Sequence, residues 1–114
     1  MKLGKKQEEF AKCLAEFILW IYQQGWSVRM GEVYRPPFTA EEYARQGVGI
    51  ANSVHTKKLA ADLILSIGGR VTWAHDDYEK LAKKWESMHE LATAGYYFER
   101  QDSAHFSFTY KGVK

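Results

Sequence analysis

The chain has 114 residues, of which 46% are hydrophobic and 26% charged, and its formal net charge is +2 at pH 7. This length predicts one domain over residues 1–114. Basic and acidic residues alternate without a charged block, which argues against a nucleic-acid-binding surface. The single cysteine, Cys13, excludes an internal disulfide.

The N-terminal residues are unlike a signal peptide. Lys2, Lys5 and Lys6 give a basic start, but acidic residues interrupt the segment that should be apolar. The apolar run 17–22 is too short to cross a bilayer. We therefore expect a chain that is cytoplasmic when synthesised and does not insert into membranes.

The N-terminal part is predicted to contain a helix, a strand and a short second helix. Apolar residues at three- and four-residue steps predict the first helix over 7–24, and Gly25 provides its stop. Alternating residues predict a strand over 26–34, which ends at the Pro36-Pro37 pair. Further elements follow from local signals: a helix at 39–45 with a Thr39–Glu42 capping box, and a glycine-containing loop at 46–53.

The C-terminal part is predicted to form a hairpin, a second long helix and two strands. Apolar runs and turn residues give the boundaries: a strand at 59–67, a Gly68-Gly69 turn, a return strand at 70–73, a helix from Asp76 to Gly95, and strands at 96–99 and 105–110. The aromatic set Trp73, Tyr78 and Trp85 is assigned to the core. This order predicts an α+β fold in which a small antiparallel sheet packs against helices.

Asp62 is the residue that fits its surroundings least. It lies in an apolar strand where Leu59, Ala61 and Leu63 share one face, and Ala60 lies beside Asp62 on the other. A bare carboxylate in a central strand costs several kcal/mol unless it is paired or binds a metal. An ion pair with an arginine and a metal site are equally compatible with this pattern alone.

Two histidines favour the metal site. His55 precedes Asp62 by seven residues across a loop that could fold back, and His105 opens the last strand. Two histidines and a carboxylate suit zinc, and three protein ligands are typical of a catalytic site. Asp102 lies three residues before His105, a spacing that can place a general base beside the metal.

These residues form two motifs, Ser53-Val-His55-Thr-Lys-Lys58-Leu-Ala60-Ala-Asp62 and Asp102-Ser-Ala-His105. They resemble the signature of the zinc D-alanyl-D-alanine carboxypeptidase and L-alanyl-D-glutamate endopeptidase family, which includes many phage endolysins. The resemblance spans about residues 26–110. Two positions depart from the pattern: Lys58 stands at the family's glycine, and the stretch 95–101 differs from a tryptophan- and glycine-rich one.

The resemblance implies a hedgehog-type fold and zinc hydrolysis of peptidoglycan stem peptides by a monomer that reaches the cell wall after release. The implied roles are zinc ligation by His55, Asp62 and His105, general base for Asp102, substrate contact and oxyanion stabilisation for Arg35, and peptide orientation for Ser53. The cut bond would be L-Ala–D-Glu or D-Ala–D-Ala. The alternatives are a catalytically inactive relative that binds zinc and cell-wall peptide, and a metal-free binding module with Asp62 in an ion pair.

Overall fold

The computed structural model describes residues 2–47 and 53–114. In chain order the helices and strands are α1 (Leu3–Gln23), β1 (Ser27–Met30), α2 (Pro37–Arg45), β2 (Ala60–Ile67), β3 (Arg70–Val71), α3 (Glu79–Met88), β4 (Ala92–Ala94) and β5 (His105–Phe108). Short 3-10 helices cover Val54–Lys57, His75–Tyr78 and Gly95–Tyr97. The predicted α+β class is confirmed.

Strand β2 is the centre of the sheet. In the described part of the chain the sheet has five antiparallel strands: four follow the order β1-β2-β5-β4, and the fifth, β3, pairs with β2. The two long partners meet β2 at different ends, since β1 pairs with its C-terminal half and β5 with its first residues. The prediction of a central strand is therefore confirmed, with a start at Ala60 rather than Leu59.

Helices α1 and α3 cover one face of the sheet with an aromatic core. Phe17 of α1 lies 5.0 Å from Phe106 and 5.2 Å from Trp85, measured between ring centroids. Phe10 meets Phe108 edge-on at 5.3 Å. Edge and tilted contacts are the favoured geometry of aromatic pairs. The alternate residues of β2 and β5 consequently point away from this core, into the opposite face.

The structure corrects the predicted ends of the first two helices. Helix α1 begins at Leu3, four residues before the predicted start, and Gly25 follows its C-cap with φ 87°. Helix α2 begins at Pro37, so Thr39 lies inside the first turn and the predicted capping box is wrong. Proline suits this first position because its missing N–H would have no helical partner. Of the predicted 46–53 loop, residues 48–52 lie outside the described range.

The C-terminal part differs more from the prediction. The helix predicted from Asp76 to Gly95 is a 3-10 turn followed by α3, which ends at Met88. The chain then forms β4 where helix was predicted. The predicted strand 96–99 is wrong, since its first two residues belong to the 3-10 helix Gly95–Tyr97 and the next two to no strand. The return strand stops at Val71, and Trp73 is 69% exposed, so its assignment to the core is wrong. Tyr78 and Trp85 are fully buried, as predicted.

The long helix α1 has 21 residues but carries charged residues from Lys5 to Glu16. None of the helices in the described ranges combines the length and the apolar character that a membrane crossing needs. The buried residues of α1, which are Phe10, Phe17 and Ile21, form the apolar stripe that packs on the sheet.

Gly95 makes the closest backbone approach in the C-terminal part. A Cβ atom at this position would lie 2.2 Å from the Asp102 carbonyl oxygen and 2.8 Å from the His105 Cβ atom. The Gly95 carbonyl accepts hydrogen bonds from the amides of Phe98 and Asp102, at 3.1 and 3.0 Å. The loop 96–102 therefore closes on itself at Gly95, and this closure requires a residue without a side chain.

We predict that Gly95→Ala lowers the free energy of unfolding by about 1–3 kcal/mol, because the added methyl group must displace backbone. The matched control is Gly4→Ala in α1, where a Cβ atom meets nothing within 4 Å. Alanine there raises the unfolding free energy by at most about 1 kcal/mol. Urea denaturation of both variants checks this, and equal stability of the two would contradict the close approach at Gly95.

Candidate metal centre

The pairing of β2 with β5 sets Asp62 directly opposite His105. The His105 Nδ1 atom lies 3.7 Å from Asp62 Oδ1, on the face of the sheet that the helices leave uncovered. The next residue of β5, Phe106, points into the aromatic core. The alternation of strand side chains thus separates the core from the polar pair.

His55 reaches the same carboxylate from the 3-10 helix Val54–Lys57. Ser53 caps this helix, since its Oγ accepts a hydrogen bond from the His55 amide at 3.2 Å. The His55 carbonyl accepts a hydrogen bond from the Arg35 amide at 3.2 Å, which ties the turn to the preceding segment. As a result His55 Nε2 lies 3.4 Å from Asp62 Oδ1.

The segment Gly31–Arg35 runs along two of these residues. The Gly31 amide donates to the Asp62 carbonyl, and the Asp62 amide donates to the Glu32 carbonyl, each at 2.8 Å. His55 Nδ1 donates to the Val33 carbonyl at 3.2 Å. Because a carbonyl only accepts, this bond leaves the lone pair of neutral His55 on Nε2, the atom that faces Asp62.

The three side chains fit a metal ion. One ligand atom from each of His55, Asp62 and His105 lies within 4.8 Å of the others. Zinc bonds of about 2.0–2.1 Å place tetrahedral ligands about 3.4 Å apart, close to the 3.4 and 3.7 Å found around Asp62 Oδ1. That oxygen is buried and has no hydrogen-bond partner among the described residues. A cation between the three side chains would satisfy it.

The electrostatics of the group favour a bound cation. Burial disfavours the charge on Asp62, but the facing imidazoles of His105 and His55 outweigh it and lower the pKa of Asp62 to about 2. Burial also opposes protonation of His55, yet Asp62, the Val33 carbonyl and Glu32 together raise its pKa. Asp62 is therefore ionised at neutral pH and draws positive charge to its neighbours.

Asp102 stands beside the group without belonging to it. Its Oδ2 atom lies 3.9 Å from His105 Nδ1, and its side chain is 59% exposed. Partial burial raises the pKa of Asp102; His105 opposes this rise and the charge on Asp62 adds to it. A carboxyl group with a raised pKa next to a metal site suits proton transfer.

A cavity of about 520 Å³ opens over these residues. Its walls include all six residues that the sequence singled out: Arg35, Ser53, His55, Asp62, Asp102 and His105. The structure therefore brings the whole predicted set to one place. The individual roles of ligand, base and substrate contact stay predictions.

Several residues of the site were not predicted. Arg35 donates from Nε to Glu32 Oε1 at 2.8 Å and also from Nη2 to the same oxygen, and Glu32 Oε1 lies 3.8 Å from His55 Nδ1. Val33 contributes only a backbone carbonyl, which leaves no mark in a sequence. Arg100 lines the cavity from the loop before Asp102. Glu32 could have been found from the sequence, because an acid three residues before an arginine can pair with it.

Lys58, at the position of the family's glycine, has a left-handed backbone with φ 58° and ψ 37°. This conformation costs a residue with a Cβ atom about 1–2 kcal/mol. The Lys58 side chain lies over the Tyr34 ring, with Nζ 5.3 Å from its centroid, and does not contribute to the described walls of the cavity. The glycine of the motif thus corresponds here to a position with a left-handed backbone.

No protein-family model matches the sequence, and no curated protein is significantly similar to it. The fold matches a solved structure, the L-Ala D-Glu endopeptidase ChiX of Serratia marcescens, with a TM-score of 0.62 and 24% sequence identity. The chain shares the fold of this peptidase. The match covers 74% of this chain and 66% of the Serratia chain, so this chain spans slightly less than two thirds of that protein.

We predict that Lys58→Asn is more stable than Lys58→Ala by up to about 1 kcal/mol, because asparagine tolerates the left-handed conformation better than alanine. Both variants lose the contact with Tyr34, so their difference isolates the backbone. Thermal denaturation of the two proteins checks the order. If the alanine variant were the more stable one, the left-handed strain at this position would be refuted.

We predict that the purified protein binds one zinc ion and that Asp62→Asn abolishes this binding, because the amide loses the negative charge that holds the cation. Asp102→Asn is the matched control, a neighbouring carboxylate that we assign no zinc bond. Elemental analysis after dialysis gives the zinc content. A chelator should lower the melting temperature of the zinc-loaded wild type and leave that of a zinc-free protein unchanged. Zinc retained by Asp62→Asn would contradict the ligand assignment.

Proposed function

We propose that this protein is a zinc-dependent peptidase that hydrolyses the stem peptides of peptidoglycan. The observation that carries the proposal is the group His55, Asp62 and His105 in an open cavity with Asp102 beside it. The fold shared with an L-Ala D-Glu endopeptidase supports the same conclusion. A purely structural metal site would not need an adjacent carboxylate outside the ligand set.

In this mechanism, His55, Asp62 and His105 hold the zinc ion. When bound, zinc supplies Lewis acidity that acidifies water and polarises a carbonyl group. Asp102 removes a proton from the attacking water through a carboxylate oxygen and then returns it to the nitrogen of the leaving amine. One carboxyl group can carry both transfers, since it holds the proton between them.

The other site residues hold His55 and the substrate in position and stabilise the charge that develops on the carbonyl oxygen. The Val33 carbonyl fixes the His55 ring, so that Nε2 faces the cavity throughout the reaction. Arg35, held by Glu32, supplies a fixed positive charge to the polarised carbonyl oxygen. Ser53 orients the turn that carries His55 and also lines the cavity, where it contacts the peptide.

Of the two bonds that the sequence motifs suggest, we propose L-Ala–D-Glu, since the matched solved structure is an endopeptidase for that bond. The ligand of the cavity is then an acidic peptide, not a nucleic acid or a lipid. A D-Ala–D-Ala carboxypeptidase is the second candidate, and it uses the same zinc group and the same base.

We predict that Asp102→Asn lowers the rate of stem-peptide cleavage by about 10²–10⁴-fold while zinc stays bound, because the amide cannot accept the proton of water. Digestion of purified muropeptides followed by mass spectrometry gives the rate and identifies the cut bond. The control is Asp76→Asn, which removes an exposed carboxylate outside the cavity.

The outcomes separate the three functions considered from the sequence. Zinc with cleavage by wild type, and loss of cleavage in Asp102→Asn, supports the peptidase and its base. Zinc without cleavage by wild type indicates a relative that binds cell-wall peptide without cutting it. A protein without zinc would instead require Asp62 to be held by its two histidines alone.

A further inference from the structure

The cavity wall contains Arg35, which forms an ion pair with Glu32, and Arg100, which forms none among the described residues. Arg35 donates two hydrogen bonds to Glu32 Oε1 and lies 5.6 Å from the Tyr43 ring. Arg100 lines the same cavity, and its charge acts on nearby Asp102, but no carboxylate of the described residues lies within ion-pair distance of it. A guanidinium without a partner in a cavity wall is available to an anionic ligand.

Arg100 is carried by a loop that is anchored at both ends. The Gly95 carbonyl accepts hydrogen bonds from the amide of Phe98, near the start of the loop, and from the amide of Asp102, at its end. Beyond Asp102, the Ser103 hydroxyl lies 2.7 Å from His75 Nδ1, within hydrogen-bond distance. The His75 ring stacks on Tyr96 at 3.8 Å with an interplanar angle of 7°. The base of the loop is thus fixed while its middle faces the cavity.

The position of Arg100 relative to Asp102 indicates which part of a substrate it meets. Asp102 returns a proton to the leaving nitrogen, so the leaving residue must lie on the side of the cavity formed by this loop. In an L-Ala–D-Glu bond, the carbon that bears the leaving nitrogen also bears the α-carboxylate of the D-glutamyl residue. Only the Cα atom therefore separates that carboxylate from the nitrogen that Asp102 protonates.

We infer that Arg100 forms a carboxylate-binding subsite that selects peptides with a free α-carboxylate on the leaving residue. This inference rests on the proposed peptidase function and names its substrate class. Arg35 is then the residue for the scissile carbonyl, and Arg100 the residue for specificity. A charge-assisted hydrogen bond to this carboxylate is worth about 10- to 100-fold in kcat/KM.

The test uses two stem peptides that differ only in the D-glutamyl α-group, carboxylate in one and carboxamide in the other. We predict that the wild-type zinc enzyme prefers the carboxylate about 10- to 100-fold in kcat/KM. Arg100→Gln should lose this preference by slowing only on the carboxylate peptide. Arg70→Gln, which removes an exposed arginine from β3, should behave as wild type. Zinc content and melting temperature report whether each variant is folded.

Each outcome decides the matter. Loss of the preference in Arg100→Gln alone supports the subsite. Its persistence in Arg100→Gln, or its loss in Arg35→Gln instead, overturns the assignment to Arg100. Equal cleavage of both peptides by wild type overturns the inference but leaves the peptidase intact. Cleavage of neither peptide by wild type would refute the proposed function and the inference with it.

Discussion

The charge of Asp62 sets the terms for the rest of the site. A carboxylate inside a central strand is tolerable only if positive charge or donors replace the lost water. His55 and His105 face it at 3.4 and 3.7 Å, and its backbone groups are both satisfied by the segment Gly31–Glu32. One oxygen still has no partner among the described residues. The arrangement is therefore incomplete as a hydrogen-bonded cluster, whereas its three side chains could hold a metal ion.

The sequence predicted the elements that contain an apolar run or a clear helical repeat. The apolar run of β2 and the helical spacing of α1 identified both, because each element buries large apolar residues in the aromatic core. The region 89–99 was mispredicted because it lacks such a pattern. Strand β4 is Ala-Thr-Ala and has no large apolar residue to mark a face. Tyr96-Tyr97-Phe98 favours a strand by composition, but the approach of Gly95 to Asp102 turns the chain there.

The candidate zinc ligands and the candidate base could be proposed from sequence because reactive side chains stand at the spacing of two motifs that resemble a family signature. The parts of the site that depend on backbone could not. Val33 orients His55 through its carbonyl, and any residue could supply that group. Arg100 resembles a solvated loop arginine until the fold places it in the cavity wall. Lys58 shows the converse, since this departure from the motif has a side chain that lies over Tyr34 and outside the described cavity walls.

Stability and chemistry in this fold depend on the same register. Because side chains alternate along β2, Leu63 enters the core only if Asp62 faces the cavity. A slip of one residue against β5 would drive the carboxylate into the aromatic cluster, expose leucines and separate Asp62 from His105. The burial of Phe106 and Phe108 opposes that slip, since these rings fit between α1 and α3 only in the observed pairing. The aromatic core therefore holds Asp62 and His105 in register from the far face of the sheet, and a change that loosens it should weaken the proposed zinc binding.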